Sequence, residues 1–311
     1  MAAKVEAKRT RNWKELDAAH RRRGELVTVI FSQDASTQGE LKAVGKKGGR
    51  KQRYPDTLIE ALLTVKVVLR LSLRALEGFA AGMVTLTGAS WSVPDYTTLC
   101  RRERHLSVDI ATKLSSNKRH ILMVDSTGLK VFGEGEWKVR QHGTDGKRRT
   151  WRKIHLLVDR ESGHVTAVEV TPNNVADCAV LPALLPSDLC NTLVLGDGAY
   201  HTKKLHRDVH AKGGVLLSPP PVNATVWRPY HCKAEPAFAF RNAPLQRLGR
   251  TEWKIQSGCA KRSYVEAMMH RLKSITGDKL SARTMDRQVV EVRLRVKVLN
   301  ATATSTMKVA V

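Results

Sequence analysis

The chain has 311 residues, 53 of them Lys or Arg and 29 Asp or Glu, for a formal net charge of +24. Its apolar fraction of 42% is enough to bury a core and excludes wholesale disorder, and its length suits one large domain with a smaller companion. So large a positive charge exceeds what solubility requires and implies a polyanionic partner, either nucleic acid or an anionic membrane surface.

A membrane-spanning role is excluded because the longest apolar neighbourhood, Leu62 to Leu73, is broken by Lys66 and Arg70, far short of the ~20 residues a spanning helix needs. The opening MAAKVEAKRTRNW is basic but has no apolar stretch, so it does not read as a secretory signal. Cys100, Cys178, Cys190, Cys232 and Cys259 are an odd number without a C-x-x-C pair. That argues against a disulfide framework or zinc ribbon and points to a reducing cytoplasm.

Residues 1–53 hold 14 basic and 6 acidic side chains, including Arg21-Arg22-Arg23 and the run KKGGRKQR from Lys46 to Arg53. They read as a flexible basic arm able to lie along phosphates. Residues 54–118 read as helical, with apolar side chains at Leu58, Leu62, Val65, Leu69, Leu73 and Leu76, spaced by three and four. Val93-Pro94-Asp95 marks a further helix start, and the short helix after it bears Arg101, Arg102 and Arg104. This is the pattern of a helix-turn-helix DNA-binding domain, and equally of a small bundle with a solvated arginine face.

From His120 onward strands are expected. HILMVDSTGLKVFG predicts a strand ending near Asp125, a turn at Thr127-Gly128 and a returning strand, and Trp151–Asp159 with Gly163–Thr171 predicts a hairpin. A helix over Asn173–Leu185 and a buried strand over Thr192–Asp197 follow, giving a mixed α/β sheet. The Pro-rich stretch 213–252 interrupts that core. The run Val289–Leu299 alternates like a strand, yet Val289, Val292, Val296 and Leu299 also fit one helix face.

Asp125 and Asp197 each end an apolar run (ILMVD, LVLGD) and precede small, turn-forming residues. Taken singly, each fits an ordinary strand-end turn. If the strands are neighbours, the two carboxylates converge at a sheet edge, where open α/β folds place their sites, and hard oxygen donors favour magnesium or manganese over zinc. A third acid is needed, from among Glu252, Glu266, Asp278, Asp286 and Glu291. On a helix through AKRSYVEAMMHRLKSI, Arg262, Glu266, His270 and Lys273 share one face, as the i,i+4 pairs of a solvated face would also do.

The runs VDSTGLKVFG, WRKIHLLVD, GDGAY and Arg262-Ser263-Tyr264-Val265-Glu266, with Lys273 seven residues on, resemble bacterial insertion-sequence transposases of the DDE, ribonuclease-H-like superfamily. The branch is the one whose last motif reads Tyr-x-x-Arg-x-x-x-Glu. The resemblance spans about Tyr54 to Asn300 and departs from the motif at Cys259, where the family has Tyr. It implies a ribonuclease-H-like catalytic domain over 119–311 with a β-rich insertion at about 213–252, and a helix at the C-terminal run. It further implies a catalytic, metal-binding triad of Asp125, Asp197 and Glu266 that holds two Mg2+ ions (Mn2+ substituting), with Arg262 and Lys273 as basic partners.

Lys130, Lys153 and the loop Lys147-Arg148-Arg149 suit phosphate contacts, and His155 fits a half-buried strand position. Trp227, Tyr230 and Trp253 suit either base stacking or packing of the insertion. The expected partner is double-stranded DNA, both element ends and target, with self-association in a synaptic complex. A plain ribonuclease-H-like nuclease or resolvase and a decayed DNA-binding repressor are the alternatives.

Overall fold

The computed structural model describes residues 53–89, 91–110, 119–131, 151–227, 236–242, 245, 252 and 263–307, with side chains of the last helix to residue 302. All but the last residue of the expected basic arm (1–53), the loop 147–149, Tyr230, Trp253, Cys259 and Arg262 lie outside these residues.

The helical block forms α1 (Asp56–Leu69), α2 (Leu73–Thr87) and α3 (Tyr96–Glu103). The apolar period that runs through Leu76 is broken at Arg70, which takes the left-handed conformation (φ 53°) and closes α1. Ser72 then caps α2 by accepting from the Ala75 amide at 3.2 Å. Asp95 caps α3 by accepting from the Thr97 and Thr98 amides, both at 2.9 Å, as the Pro-Asp signal predicts.

The sheet comprises β1 (His120–Val131), β2 (Trp151–Asp159), β3 (Val165–Pro172), β4 (Thr192–Leu195), β5 (Val215–Leu217) and β6 (Lys279–Leu280). Its order is β3-β2-β1-β4-β5, with β6 on the far end of β1. β1, β2 and β3 are an antiparallel meander, while β4 and β5 run parallel to β1. This mixed order is the ribonuclease-H-like core. Helices α4 (Asp177–Leu184) and α5 (Lys203–Ala211) cover one face, and α6 (Ser263–Thr276) and α7 (Met285–Met307) cover the other.

Two expectations are corrected. The turn at Thr127-Gly128 does not form: Ser126, Thr127 and Gly128 pair with His155, Ile154 and Lys153 of β2, so β1 runs unbroken for 12 residues. Gly128 supplies clearance rather than a bend, since a Cβ there would stand 3.1 Å from the Trp151 ring. The stretch 213–252 opens with β5, a strand of the central sheet. Beyond it the described residues form no strand, and 236–242 are helical.

The C-terminal run is helical, and its alternating pattern has a physical cause. Val292, Val296 and Leu299 enter the sheet core, whereas Val290 and Leu294 enter the core of α1–α3. A helix buried on two sides loses the one-sided stripe. The helical block therefore shares its core with the last helix. A line of buried charges reinforces the join, with Lys66, Glu103, Glu291 and Arg295 each 7% exposed or less. Lys66 lies 3.4 Å from Glu103 and donates to Ser281 Oγ at 3.1 Å. Glu291 accepts from Arg295 at 2.7 Å and from the Ala282 amide at 2.8 Å, and Arg295 also donates to Gly277 O at 2.8 Å. Burial pushes the Glu103 carboxyl up; at Glu291 burial acts the same way, but Arg295, Lys66 and the Ser281 and Ala282 amides together outweigh it and hold the carboxyl down.

Removing one member of a buried ion pair leaves the other charge uncompensated. Arg295→Met is expected to lower the unfolding free energy by about 3–5 kcal/mol, measured by denaturant titration, and a loss under about 1 kcal/mol would contradict the network's role.

Candidate active site

Parallel pairing of β1 with β4 fixes the first two acids. Ile121 faces Leu193, Leu122 faces Val194 and Met123 faces Leu195, and two residues beyond the last pair stand Asp125 and Asp197. Strands lie about 4.8 Å apart, so the two carboxylates begin from adjacent, level positions. β4 ends at Leu195 while β1 continues to Val131. The opening is thus made by the departure of β4, with Asp125 in mid-strand rather than at a strand end. Asp125 alternates with Met123 and so turns toward the face that bears α6.

Local geometry holds both side chains. Asp125 Oδ1 accepts from the Ser126 amide and Asp197 Oδ1 from the Ala199 amide, each at 2.8 Å. Asp197 thereby caps a 3-10 turn, Gly198–Tyr200, which folds the Tyr200 ring back over Gly196. A Cβ at Gly196 would meet Tyr200 Cδ2 at 2.8 Å, so glycine is required there. Burial pushes the Tyr200 hydroxyl up, and the carboxylates of Asp177, Asp125 and Asp197 add to the effect.

Glu266 lies in the first turn of α6, which packs on β1 through Val265, Met268, Met269 and Leu272. Glu266 and His270 are exposed and Lys273 is half-buried. Among the other candidates for the third acid, Asp278 pairs with Lys130 at 3.2 Å, Asp286 with Arg104, and Glu291 with Arg295. Glu252 is exposed. Among the described residues no three His, Cys, Asp or Glu side chains gather closely enough to hold a metal ion. The donor chemistry, carboxylate oxygens alone, fits a hard divalent cation; the two aspartates are brought level, and Glu266 is not gathered with them.

The basic residues divide. Lys153 and His155 lie on the opposite face from Asp125, where Lys153 pairs with Asp177 at 3.2 Å and donates to Val175 O at 3.0 Å. His155 is fully buried rather than half-buried; burial chiefly holds its pKa down, and its ring bonds Thr171 Oγ1 at 2.9 Å. Arg102 donates to Tyr54 O and pairs with Asp56, Arg104 pairs with Asp286, and Arg101 donates to Thr97 O at 3.3 Å. Lys130, besides its pair with Asp278, lies 5.7 Å from the Trp151 ring centroid.

A cluster that the sequence does not disclose joins the stretch after β5 to the Asp197 loop. Arg241, 1% exposed, stacks 3.9 Å from the Trp227 ring centroid and donates Nε–H to His201 Nε2 at 3.1 Å. An arginine cannot accept, so His201 carries its proton on Nδ1 and donates it toward Ser218 Oγ at 3.0 Å. Phe238 and His206 complete the packing around Trp227, with ring centroids 5.0 Å away in each case. Trp227 therefore packs the insertion onto the loop. Only its nearness to aromatic residues was visible beforehand, because Arg241 and His201 stand 40 residues apart.

The chain belongs to the DDE transposases: two family models described as "Transposase DDE domain" match it, over residues 21–134 and 116–301. It is thus a DNA-cleaving, metal-dependent enzyme of DNA transposition. Among solved structures, the piggyBac transposase synaptic complex with hairpin DNA is similar at 11% identity and a TM-score of 0.44, over 91% of this chain and 72% of that one. The simian T-cell lymphotropic virus intasome in complex with PP2A regulatory subunit B56 gamma is similar at 14% identity and a TM-score of 0.26, over 71% and 67%. At these scores neither adds to what the sheet order shows.

Burial, with Arg241 nearby, holds His201 down to about 4, and burial, with His201 and Arg241, holds His206 down to about 3. The unfolded chain takes up these protons near pH 6.5, so the stability the neutral rings contribute is full above that pH and is lost as pH falls toward 4. Thermal unfolding followed from pH 7.5 to 5 is expected to shift to lower temperature, and less so in His206→Leu; equal shifts in both proteins would contradict the assignment.

Proposed function

We propose that this enzyme is the transposase of a bacterial insertion sequence, working in the cytoplasm on nucleoid DNA, and that it cuts at the element's ends and joins the freed 3′-hydroxyls to target DNA. The observation that supports this best is that Asp125 and Asp197 each stand two residues beyond the last pair of the parallel β1–β4 ladder, with Glu266 on the helix that packs over β1. Asp125 would contribute to both of two Mg2+ sites (Mn2+ substituting), and Asp197 and Glu266 to one each. Bound there, the ions would supply Lewis acidity that activates a water or 3′-hydroxyl and neutralises the leaving oxygen.

The chain's own residues position the reactants. The Ser126 and Ala199 amides orient the two aspartates. Lys273, seven residues after Glu266 on α6, and Arg262 would hold the scissile strand's phosphates. Lys130, Lys153, Arg101, Arg102 and Arg104 would add backbone contacts only where DNA displaces their present partners. The basic arm supplies sequence-independent, salt-sensitive attraction. Glu266, exposed on the first turn of α6, would join the aspartates when DNA is bound, and two element ends would be paired by self-association.

No Ser or Tyr nucleophile is needed, because water and the 3′-hydroxyl attack directly. A plain nuclease would cut without ever joining, so strand transfer separates the readings. Asp125→Asn is expected to lower cleavage of end DNA at least about 1,000-fold, equivalent to about 4 kcal/mol, with end binding retained in a gel-shift assay. Cleavage within tenfold of wild type would remove Asp125 from the site.

A further inference from the structure

A cavity of about 260 Å3 opens where the helical block meets the sheet, walled by the end of α1, the turn from α6 into β6, and α7. Its lining carries four cations, Lys66, Arg70, Lys279 and Arg295, against two carboxylates, Asp278 and Glu291. Both carboxylates have partners. Glu291 accepts from Arg295 at 2.7 Å and from the Ser281 and Ala282 amides, and Asp278 pairs with Lys130 at 3.2 Å. Outside the lining, Glu103 lies 3.4 Å from Lys66; it and Lys130 cancel, so the lining's excess of two positive charges remains. A cleft between low-dielectric walls focuses such a field and gathers the opposite charge.

Arg70 holds its place under strain. It closes α1 in the left-handed conformation, φ 53°, where glycine is the usual residue and a Cβ crowds the following carbonyl. What arginine adds is its side chain. Nη2 donates to Ser274 O at 3.0 Å and to Ile275 O at 3.5 Å, which steadies the guanidinium across the last turn of α6. Nε and Nη1 take no part in these bonds, and the residue is exposed. An arginine already held loses less freedom on binding. Lys279 is exposed on β6, while Lys66, 7% exposed, lies deeper and donates to Ser281 Oγ at 3.1 Å. One guanidinium and two ammonium groups at a single opening suit the oxygens of a phosphate.

We propose that this cavity docks one backbone phosphate of the element-end DNA, gripped by Arg70 and Lys279 at the rim with Lys66 behind them. The proposal lies outside the acidic site and rests on the reading that the enzyme holds element ends. Thr276, in the lining, stands ten residues along α6 from Glu266, about 15 Å, the span of roughly four to five nucleotides of one strand. A duplex held at the acids is long enough to reach it. The docked phosphate ties the DNA to the helical block through α1 and to the sheet through β6.

The test is binding of the full-length protein to a duplex carrying the element's end, with its phosphates ethylated one at a time to remove their charge. In wild type, ethylation of the docked phosphate weakens binding. In Arg70→Gln and in Lys279→Gln it is expected to weaken binding no further, and each variant's slope of log affinity against log salt is expected to fall by about 1. Lys279 is exposed, so its variant keeps the test decisive if Arg70→Gln fails to fold. The wild-type ethylation pattern and salt slope in Lys279→Gln would overturn the proposal. So would an equal fall in slope for Lys204→Gln, on α5 across the sheet. Free phosphate offers the same chemistry: if sodium phosphate at matched ionic strength raises the unfolding temperature of wild type but not of Lys279→Gln, and their ethylation patterns agree, the DNA assignment is overturned. Wild-type protein that does not prefer the end duplex to a scrambled one would overturn the end-binding reading itself, and the proposal with it.

Discussion

The parallel hydrogen bonding between β1 and β4 is the constraint on which the site depends. Here the sheet passes from an antiparallel meander to parallel strands. A parallel register repeats evenly along both strands, so residues equally far beyond a paired couple remain level. Between Val131, where β1 ends, and Thr192, where β4 begins, the chain spends 60 residues on β2, β3, α4 and their connections; β4 then returns beside β1 and brings Asp197 level with Asp125. Gly196 lets Tyr200 fold back, and the turn after Asp197 then carries the chain away from the sheet. The aspartates are left side by side where no further strand covers them.

The second organising element is α7, which belongs to two cores at once. Through Val290 and Leu294 it holds the helical block, and through Val292, Val296 and Leu299 it holds the sheet. Glu291 and Arg295 cross between them with each other as partners, so neither charge is buried alone. This arrangement fixes α1–α3 relative to the catalytic sheet. It also changes the sense of the arginines on α3. Arg102 and Arg104 tie that helix to Asp56 and Asp286, so the same charges that mark a DNA-reading helix in sequence serve here as clasps within the protein.

Much of this was legible beforehand, for identifiable reasons. The strand pattern from 151 to 172 and the apolar runs before Asp125 and Asp197 reflect burial on both sheet faces, which writes itself directly into local sequence. The cap at Asp95 is local too, whereas the break at Arg70 and the cap at Ser72, which divide the apolar period into two helices, went unread. The misread turn at Thr127-Gly128 was not legible, because what straightens it is β2, more than 20 residues further on. Likewise the alternation in Val289–Leu299 records a helix between two cores, and no single periodicity describes that. The Arg241–His201 contact and the cationic cavity between α1 and β6 depend on side chains that meet only after folding. Glu266 is singled out only by a family motif, and the helix that carries it is placed by apolar packing on β1 through Val265, Met268, Met269 and Leu272.

The most direct measurement of convergence is metal-directed cutting of the polypeptide. With Fe2+ in place of Mg2+, and with ascorbate and peroxide, hydroxyl radicals cut the backbone beside the residues that hold the ion. In the complex with end DNA, cuts are expected near residues 125, 197 and 266, each suppressed by excess Mg2+. Cuts near 125 and 197 with none near 266, in a complex still able to cleave its DNA, would contradict the three-acid site.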